Sequence, residues 1–233
     1  QNAFFSCVPK GILVYLVVFG SLGGFISAFN IECNYVIPGI VLLLFALYFS
    51  GLFAFKKNRY KDIGYILFFI VYVFGIYLFK AYVNSGFAAI VNMVRQRGEM
   101  YFDLNTGTEF AENIEDRYLT VTITFIFIGI FEVLLLNIYI SNYMSLKTAV
   151  LMAVPMYIIP LYFQVEPDLF FVFCMLCGLV GISIFWYGSR MRRRRRKRSG
   201  EKGTPEIMYT QRNRVSAGDL VGAAACELGV GLF

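Results

Sequence analysis

The sequence predicts an all-α polytopic bundle of about six membrane-spanning helices with both ends in the cytoplasm. Three observations carry that prediction. The 233 residues are 58% hydrophobic and only 15% charged, against about 25% charged in a typical water-soluble domain. The mean hydropathy is +0.65. The charges sit in short clusters between apolar runs, and their sign alternates from one connector to the next.

Six runs are long enough to cross about 30 Å of hydrocarbon at 1.5 Å per residue. They lie at roughly 11–29, 35–55, 63–83, 119–140, 149–163 and 169–187. The first is rich in glycine, lacks an A-x-A cleavage site and is followed by further runs, so a cleaved signal peptide is a poor reading. The fifth is the shortest and contains Pro155 and Pro160; it is expected to tilt, to kink, or to begin as early as Leu146.

The connectors set the orientation through the positive-inside rule. With Lys10 inside, the second connector (Lys56, Lys57, Arg59, Lys61), the fourth (Lys147) and the tail bring 17 of the 21 basic residues to the cytoplasmic side. The opposite connectors carry Glu32, then Glu99, Asp103, Glu109, Glu112, Glu115 and Asp116, then Glu166 and Asp168. They hold only Arg95, Arg97 and Arg117, with Lys80 at the boundary. No N-x-[ST] acceptor occurs in the chain, and together with the Phe-, Ile- and Tyr-heavy composition this points to a bacterial cytoplasmic membrane.

The absence of histidine excludes Ser-His-Asp and Cys-His catalysis and His-ligated metal or haem within this chain. No phosphate loop of the G-x-x-x-x-G-K-[ST] type is present. No complete catalytic constellation, metal site or cofactor is expected.

Helices in lipid associate by close backbone approach and by polar contacts. Gly20, Gly24 and Ala28 form a four-residue-spaced seam in the first run, with Gly23 and Ser27 on the adjoining ridge. Gly178 and Gly181 offer the same in the last run. The seam serves packing within the chain or against a second copy.

The fourth run holds Glu132, the only carboxylate deep inside a run, and Asn137. An acidic residue at the centre of a span costs roughly 2.5–3.5 kcal/mol on insertion scales, so Glu132 should face the bundle and find a partner. Tyr72, Tyr77 and Thr124 are the candidates. A proton or cation relay is the functional reading, and a neutral Glu in one interhelical hydrogen bond is the plain one.

Cys174 and Cys177 form a C-x-x-C near the outer end of the last run, and Cys33 sits in the first outer connector. Membrane thiol oxidoreductases place cysteines in this way, although buried helices also use Cys as a small apolar residue. The outer loop 84–118 contains Phe87, Ile90, Val91 and Val94 at helical spacing, which predicts an amphipathic helix over 86–97 on the outer leaflet. The DLNTGTE that follows (Asp103, Asn105, Gly107, Glu109) departs from a calcium-binding loop, with Gly one place early and Ile114 where the bidentate Glu belongs. It reads as a polar turn.

After the last run, RMRRRRRKR (Arg190, Arg192, Arg193, Arg194, Arg195, Arg196, Lys197, Arg198) opens a basic cytoplasmic linker, 189–214. Beside a membrane it binds anionic headgroups, at roughly 1 kcal/mol per basic residue. It anchors the topology or docks a membrane partner; nucleic acid is not expected. Residues 215–233, with Ser216 and Asp219 at capping-box spacing, read as an amphipathic helix or the start of a further span. The chain begins at Gln1 without a Met and ends in an apolar stretch, which reads as a fragment.

Over 11–198 the layout resembles the N-terminal membrane block of bacterial transglutaminase-like membrane proteins. The resemblance rests on the multiple spans, the prolinated hairpin MAVPMYIIPLYFQVEPDLFF and the Arg-rich cytoplasmic segment. It implies a membrane anchor, with the Cys, His and Asp of that family in a domain outside this chain, so no site residue transfers. The function expected is a membrane anchor or scaffold block. The alternatives are a small proton- or cation-coupled transporter or channel using Glu132, and a thiol oxidoreductase using Cys174 and Cys177.

Overall fold

A computed structural model describes the backbone of residues 2–52, 58–103, 107, 109–143 and 146–198, with side chains over 8–52, 63–103, 107, 109–140 and 146–188. Within these residues the chain is a bundle of seven helices without a strand: α1 (Asn2–Ala28), α2 (Val36–Leu52), α3 (Asn58–Leu78), α4 (Lys80–Phe102), α5 (Arg117–Tyr143), α6 (Leu146–Tyr162) and α7 (Leu169–Arg198). Segments of α1, α5 and α7 are each long and apolar enough to cross a membrane. A fourth crossing is reached if the bent pair α3–α4 counts as one span, and α2 and α6 are shorter apolar helices.

Local polar chemistry sets the helix ends. The Asn34 side-chain oxygen accepts the N–H groups of Val36 and Ile37 and so caps α2. Asp116 accepts Leu119 N–H ahead of α5, and Asp168 accepts Phe170 N–H at the start of α7. At the other ends, α1 and α6 close through left-handed residues, Asn30 (φ 53°) and Gln164 (φ 54°). Ile31 N–H reaches back to Ile26 C=O, and Val165 N–H to Pro160 C=O. These six-to-one bonds satisfy carbonyls the helices would otherwise leave bare.

Helix α1 is the hub and packs on α2, α5, α6 and α7. A Cβ on Gly20 would lie 2.5 Å from Met175 N and 2.8 Å from Phe171 O, and one on Gly178 would lie 2.9 Å from Val17 N. The α1 and α7 backbones therefore touch without intervening side chains. Gly23 faces the Phe171 ring, Gly24 faces the Tyr157 ring, and Ala28 is buried. The glycines of the seam thus meet α6 and α7 of the same chain. Beside them Phe19 stacks on Phe125 of α5 and meets Phe171 of α7 edge-on, with centroids 6.4 and 5.5 Å apart.

Two elements differ from the sequence prediction. The apolar run 63–83 is not one straight helix: it breaks at Phe79, and α4 leaves α3 at 76°. No proline or glycine occupies the break. The docking of α4 on α5 accounts for it, since Gly86 fits against Thr120 and Thr124, and Thr124 Oγ1 donates to Val83 C=O at 3.3 Å. From there α4 crosses to the end of α6, where Tyr101 and Phe102 meet Tyr162 and Phe163 in a four-ring cluster. The helix expected over 86–97 is therefore a longer one, and it is anchored at both ends. Second, the last helix does not stop near Tyr187: the α7 backbone stays helical through Arg198, carrying the basic run as a continuation of the helix. The side chains of that run, and all of 199–233, lie outside the described residues.

Candidate functional site

Ser21 and Ser183 donate to carbonyls of their own helices, whereas other polar groups join one helix to another. Ser50 of α2 donates to the Asn137 side-chain oxygen at 2.9 Å, and the Asn137 amide donates to Val133 C=O at 3.1 Å. Tyr157 O–H of α6 donates to Gly20 C=O at 2.7 Å, and Tyr72 O–H of α3 donates to Phe127 C=O at 2.9 Å. The Ser50, Tyr157 and Tyr72 bonds each take a polar group that apolar surroundings would penalise and use it to fix one helix against the next, while the Asn137 amide is satisfied within α5.

Glu132 stands apart from these. It is the sixteenth residue of the 27-residue α5, on the face shared by Phe125 and Leu136, while Asn137 points toward α2. Among the described residues no hydrogen-bond or ion-pair partner meets its carboxyl. The partners expected from the sequence are engaged or turned away. Tyr72 and Thr124 bond to backbone carbonyls, and Tyr77 is 74% exposed on α3. The two intramembrane polar candidates are not brought together.

The connectors at one end form an acidic mouth. An open cavity of about 410 Å³ is lined by Ser27, Asn30, Glu32, Tyr35, Glu166 and Asp168, with Ile31 at its wall. Asp168 N–H donates to Ser27 Oγ at 3.2 Å, tying the α6–α7 turn to the end of α1. Cys33 is buried beside this mouth. Burial pushes its thiol up to about 11, and a hydrogen bond with Tyr35 offsets only part of that rise. A thiol in this state is a poor nucleophile at neutral pH. Cys174 is buried in α7 while Cys177, three residues on, is exposed, and all three thiols are free. The structure does not place Cys33 with the C-x-x-C as one described disulfide site.

Beside the mouth, the segment 109–116 is strapped along α4. The Asn92 side chain donates to Phe110 C=O and Glu112 Oε1, and accepts Phe110 N–H at 2.9 Å. Ser85 Oγ bridges Ile114 N–H and C=O at 3.3 Å. Arg117 Nε meets Glu112 at 2.6 Å, and Arg95 lies 3.3 Å from Glu99 and 3.8 Å from Glu109. The acids of the loop are thus partly neutralised by the loop's own arginines. Asp103 ends α4 in a left-handed conformation, Asn105 lies outside the described residues, and no cluster of three or more His, Cys, Asp or Glu able to hold a metal occurs among the described residues.

Ser50, Tyr157 and Asn92 have functions in the fold that the sequence did not single out. Each bonds to a residue far along the chain, and no spacing rule marks such a pair. No family model, curated protein or solved structure matches this chain.

Proposed function

We propose that the chain is a membrane scaffold of six crossings, with the acidic mouth outside and the basic helix end in the cytoplasm, in a bacterial cytoplasmic membrane. Its task on this reading is to hold a catalytic or binding partner that lies outside the chain. The observation that carries it is α3, where Ile66, Leu67, Ile70, Val71, Phe74 and Leu78 are each 59–61% exposed. So continuous an apolar surface is stable against lipid or another helix and not against water. On this reading α2 and α6 also cross, as short helices among longer ones, and α4 lies near the outer surface across the ends of α5 and α6. The alternation of basic and acidic connectors supports the orientation. The resemblance in layout to the membrane block of transglutaminase-like proteins supports an anchoring role.

The test is a set of reporter fusions with an enzyme active only outside the cytoplasm. Fusions within 109–116 and after Asp168 are expected to be active, and those after Lys147 and Arg198 inactive. The reverse pattern, or activity at two successive connectors, would overturn the topology.

Glu132 favours a second reading, a proton- or cation-coupled carrier. It predicts that Glu132→Gln abolishes an ion-dependent flux at unchanged expression. Thiol exchange gains no such support, because the Cys33 thiol is pushed up by burial and Cys174 and Cys177 differ in exposure.

A further inference from the structure

Helix α7 presents glycines to α1 at one level and bulky side chains at the next. Gly178 lies against Val17, and Gly181 against the Leu13 side chain. Beyond Gly181, Ile182, Phe185 and Trp186 of α7 line a narrow crevice together with Lys10 and Leu13 of α1 and Ile140 of α5. Ile140, Ile182 and Phe185 are buried, while Lys10 and Trp186 are half-buried. Helix α1 packs on both α5 and α7, but no extensive packing joins α5 to α7 among the described residues. The crevice therefore lies where two neighbours of α1 fail to meet.

Charge and wall chemistry together select an occupant. By the alternation of the connectors, segments 1–10, 56–62, 144–148 and 189–198 belong to this end of the bundle. They hold fourteen basic residues against one acid, Asp62. The α7 backbone stays helical through Arg198, and Arg190, the first residue of the basic run, follows Trp186 by about one turn. Such an excess of one sign draws anions and repels cations. A small free anion gains nothing from walls of Leu, Ile and Phe, and a neutral lipid gains nothing from Lys10. An anionic phospholipid uses both. The tryptophan fits the same level, because its ring, apolar with one polar N–H, favours the depth of the headgroups.

We propose that the crevice between α1, α5 and α7 binds one anionic phospholipid, with the headgroup phosphate beside Lys10 and the upper acyl chain along Leu13, Ile140, Ile182 and Phe185. The site rests on the proposed topology, which puts this end at the cytoplasmic surface. It differs from the general attraction of an Arg run for a charged membrane: one lipid is held at one place, and it bridges α5 to α7 where the helices do not pack on each other.

Trp186 is the single tryptophan of the chain, so its fluorescence reads the site directly. The full chain is reconstituted in bilayers of phosphatidylcholine and phosphatidylglycerol at fixed composition. Bromine, a contact quencher, is carried on the acyl chains of one lipid in one sample and of the other in the second. One basic residue near a membrane surface is worth about a fivefold preference for an anionic lipid. Brominated phosphatidylglycerol is therefore expected to occupy the site about fivefold better than brominated phosphatidylcholine. Lys10→Gln should lower that preference about fivefold, and Lys10→Arg should keep it. Lys147→Gln removes a charge at the same end but outside the crevice, and should also keep it. Equal quenching by the two lipids, an unchanged preference in Lys10→Gln, or as large a loss in Lys147→Gln would overturn the site. So would loss of the preference when inorganic phosphate replaces chloride at constant ionic strength, since a free anion would then be the ligand. Quenching by neither lipid would place Trp186 outside the bilayer and overturn the topology as well.

Discussion

The Ser50 hydroxyl and the Asn137 side-chain oxygen meet 2.9 Å apart with both residues at least 97% buried, although 87 positions separate them in the chain. The bond ties α2 to α5 where Gly11 of α1 also closes in, a Cβ there lying 3.0 Å from Ala46 O and 3.1 Å from Ser50 Oγ. Interhelical bonds of this kind contribute about 0.6 kcal/mol on average and up to about 1.7 in lipid. Ser50→Ala is expected to cost about that much. Asn137→Leu is expected to cost more, because a bulkier apolar group must fit where a planar amide sat. Unfolding of the purified protein in bicelles checks both, and the double mutant should cost less than the sum of the singles.

The α1–α7 contact has no room for a side chain. Gly20→Leu would force its Cβ against the Phe171 carbonyl and the Met175 amide, so it is expected to destabilise by at least the roughly 1–3 kcal/mol typical of overpacking. Gly188 serves as the control, because a Cβ added there would meet nothing within 4 Å. Gly188→Ala should not lower the melting temperature.

Tyr157→Phe removes the hydroxyl that donates to Gly20 C=O and keeps the ring against Gly24. The expected loss is about 1 kcal/mol, read as a lower midpoint in thermal unfolding with no change in helix content by circular dichroism.

The Cys33 thiol gives a pH signature. With its folded value pushed up to about 11, alkylation by iodoacetamide in detergent should be slow at pH 7 and climb close to tenfold per unit until near pH 11. Tyr35→Phe removes the hydrogen bond that partly offsets burial, so the profile should shift further upward. The sign for stability follows: an unfolded thiol ionises near pH 8.5. This group's contribution is full below that value and is lost as pH rises toward 11. A Cys33 rate that levels off below pH 9 would contradict the burial of this thiol.

Asn92 holds the strap over α4 with three hydrogen bonds. Asn92→Ala is expected to free 109–116, raising trypsin cleavage at Arg117 severalfold while the helices stay intact. Mass spectrometry of the fragments reads this directly, and an unchanged cleavage rate would show that Ser85 and the ion pairs suffice.

The helical class and most helix positions were legible in the sequence because long apolar runs and their polar boundaries are local signals. The start of α6 at Leu146 belongs to that group, as does the helix around 86–97. The break at Phe79 was not legible, since no breaker residue marks it and the cause is Gly86 settling on Thr120 and Thr124 of another helix. The extension of α7 through Arg198 was hidden for a different reason: a run of like charges reads as a linker, while the backbone continues a helix already nucleated in the apolar segment. For the candidate site, Glu132 and Asn137 stood out as rare polar residues in apolar surroundings. Their different surroundings did not, because about 500° of helical turn between them had to be combined with the positions of α1 and α2 before it had meaning.

The backbone contact between Gly20 and Met175 also imposes an order in time. At roughly 5–20 residues per second, the chain between them takes on the order of ten to thirty seconds to synthesise. Throughout that interval α1 stands in the membrane with an empty glycine-lined furrow, and lipid or the insertion machinery must fill it. Assembly therefore finishes by displacing an occupant when α7 arrives, and a faster or slower ribosome changes how long the newborn protein is exposed to the wrong neighbour.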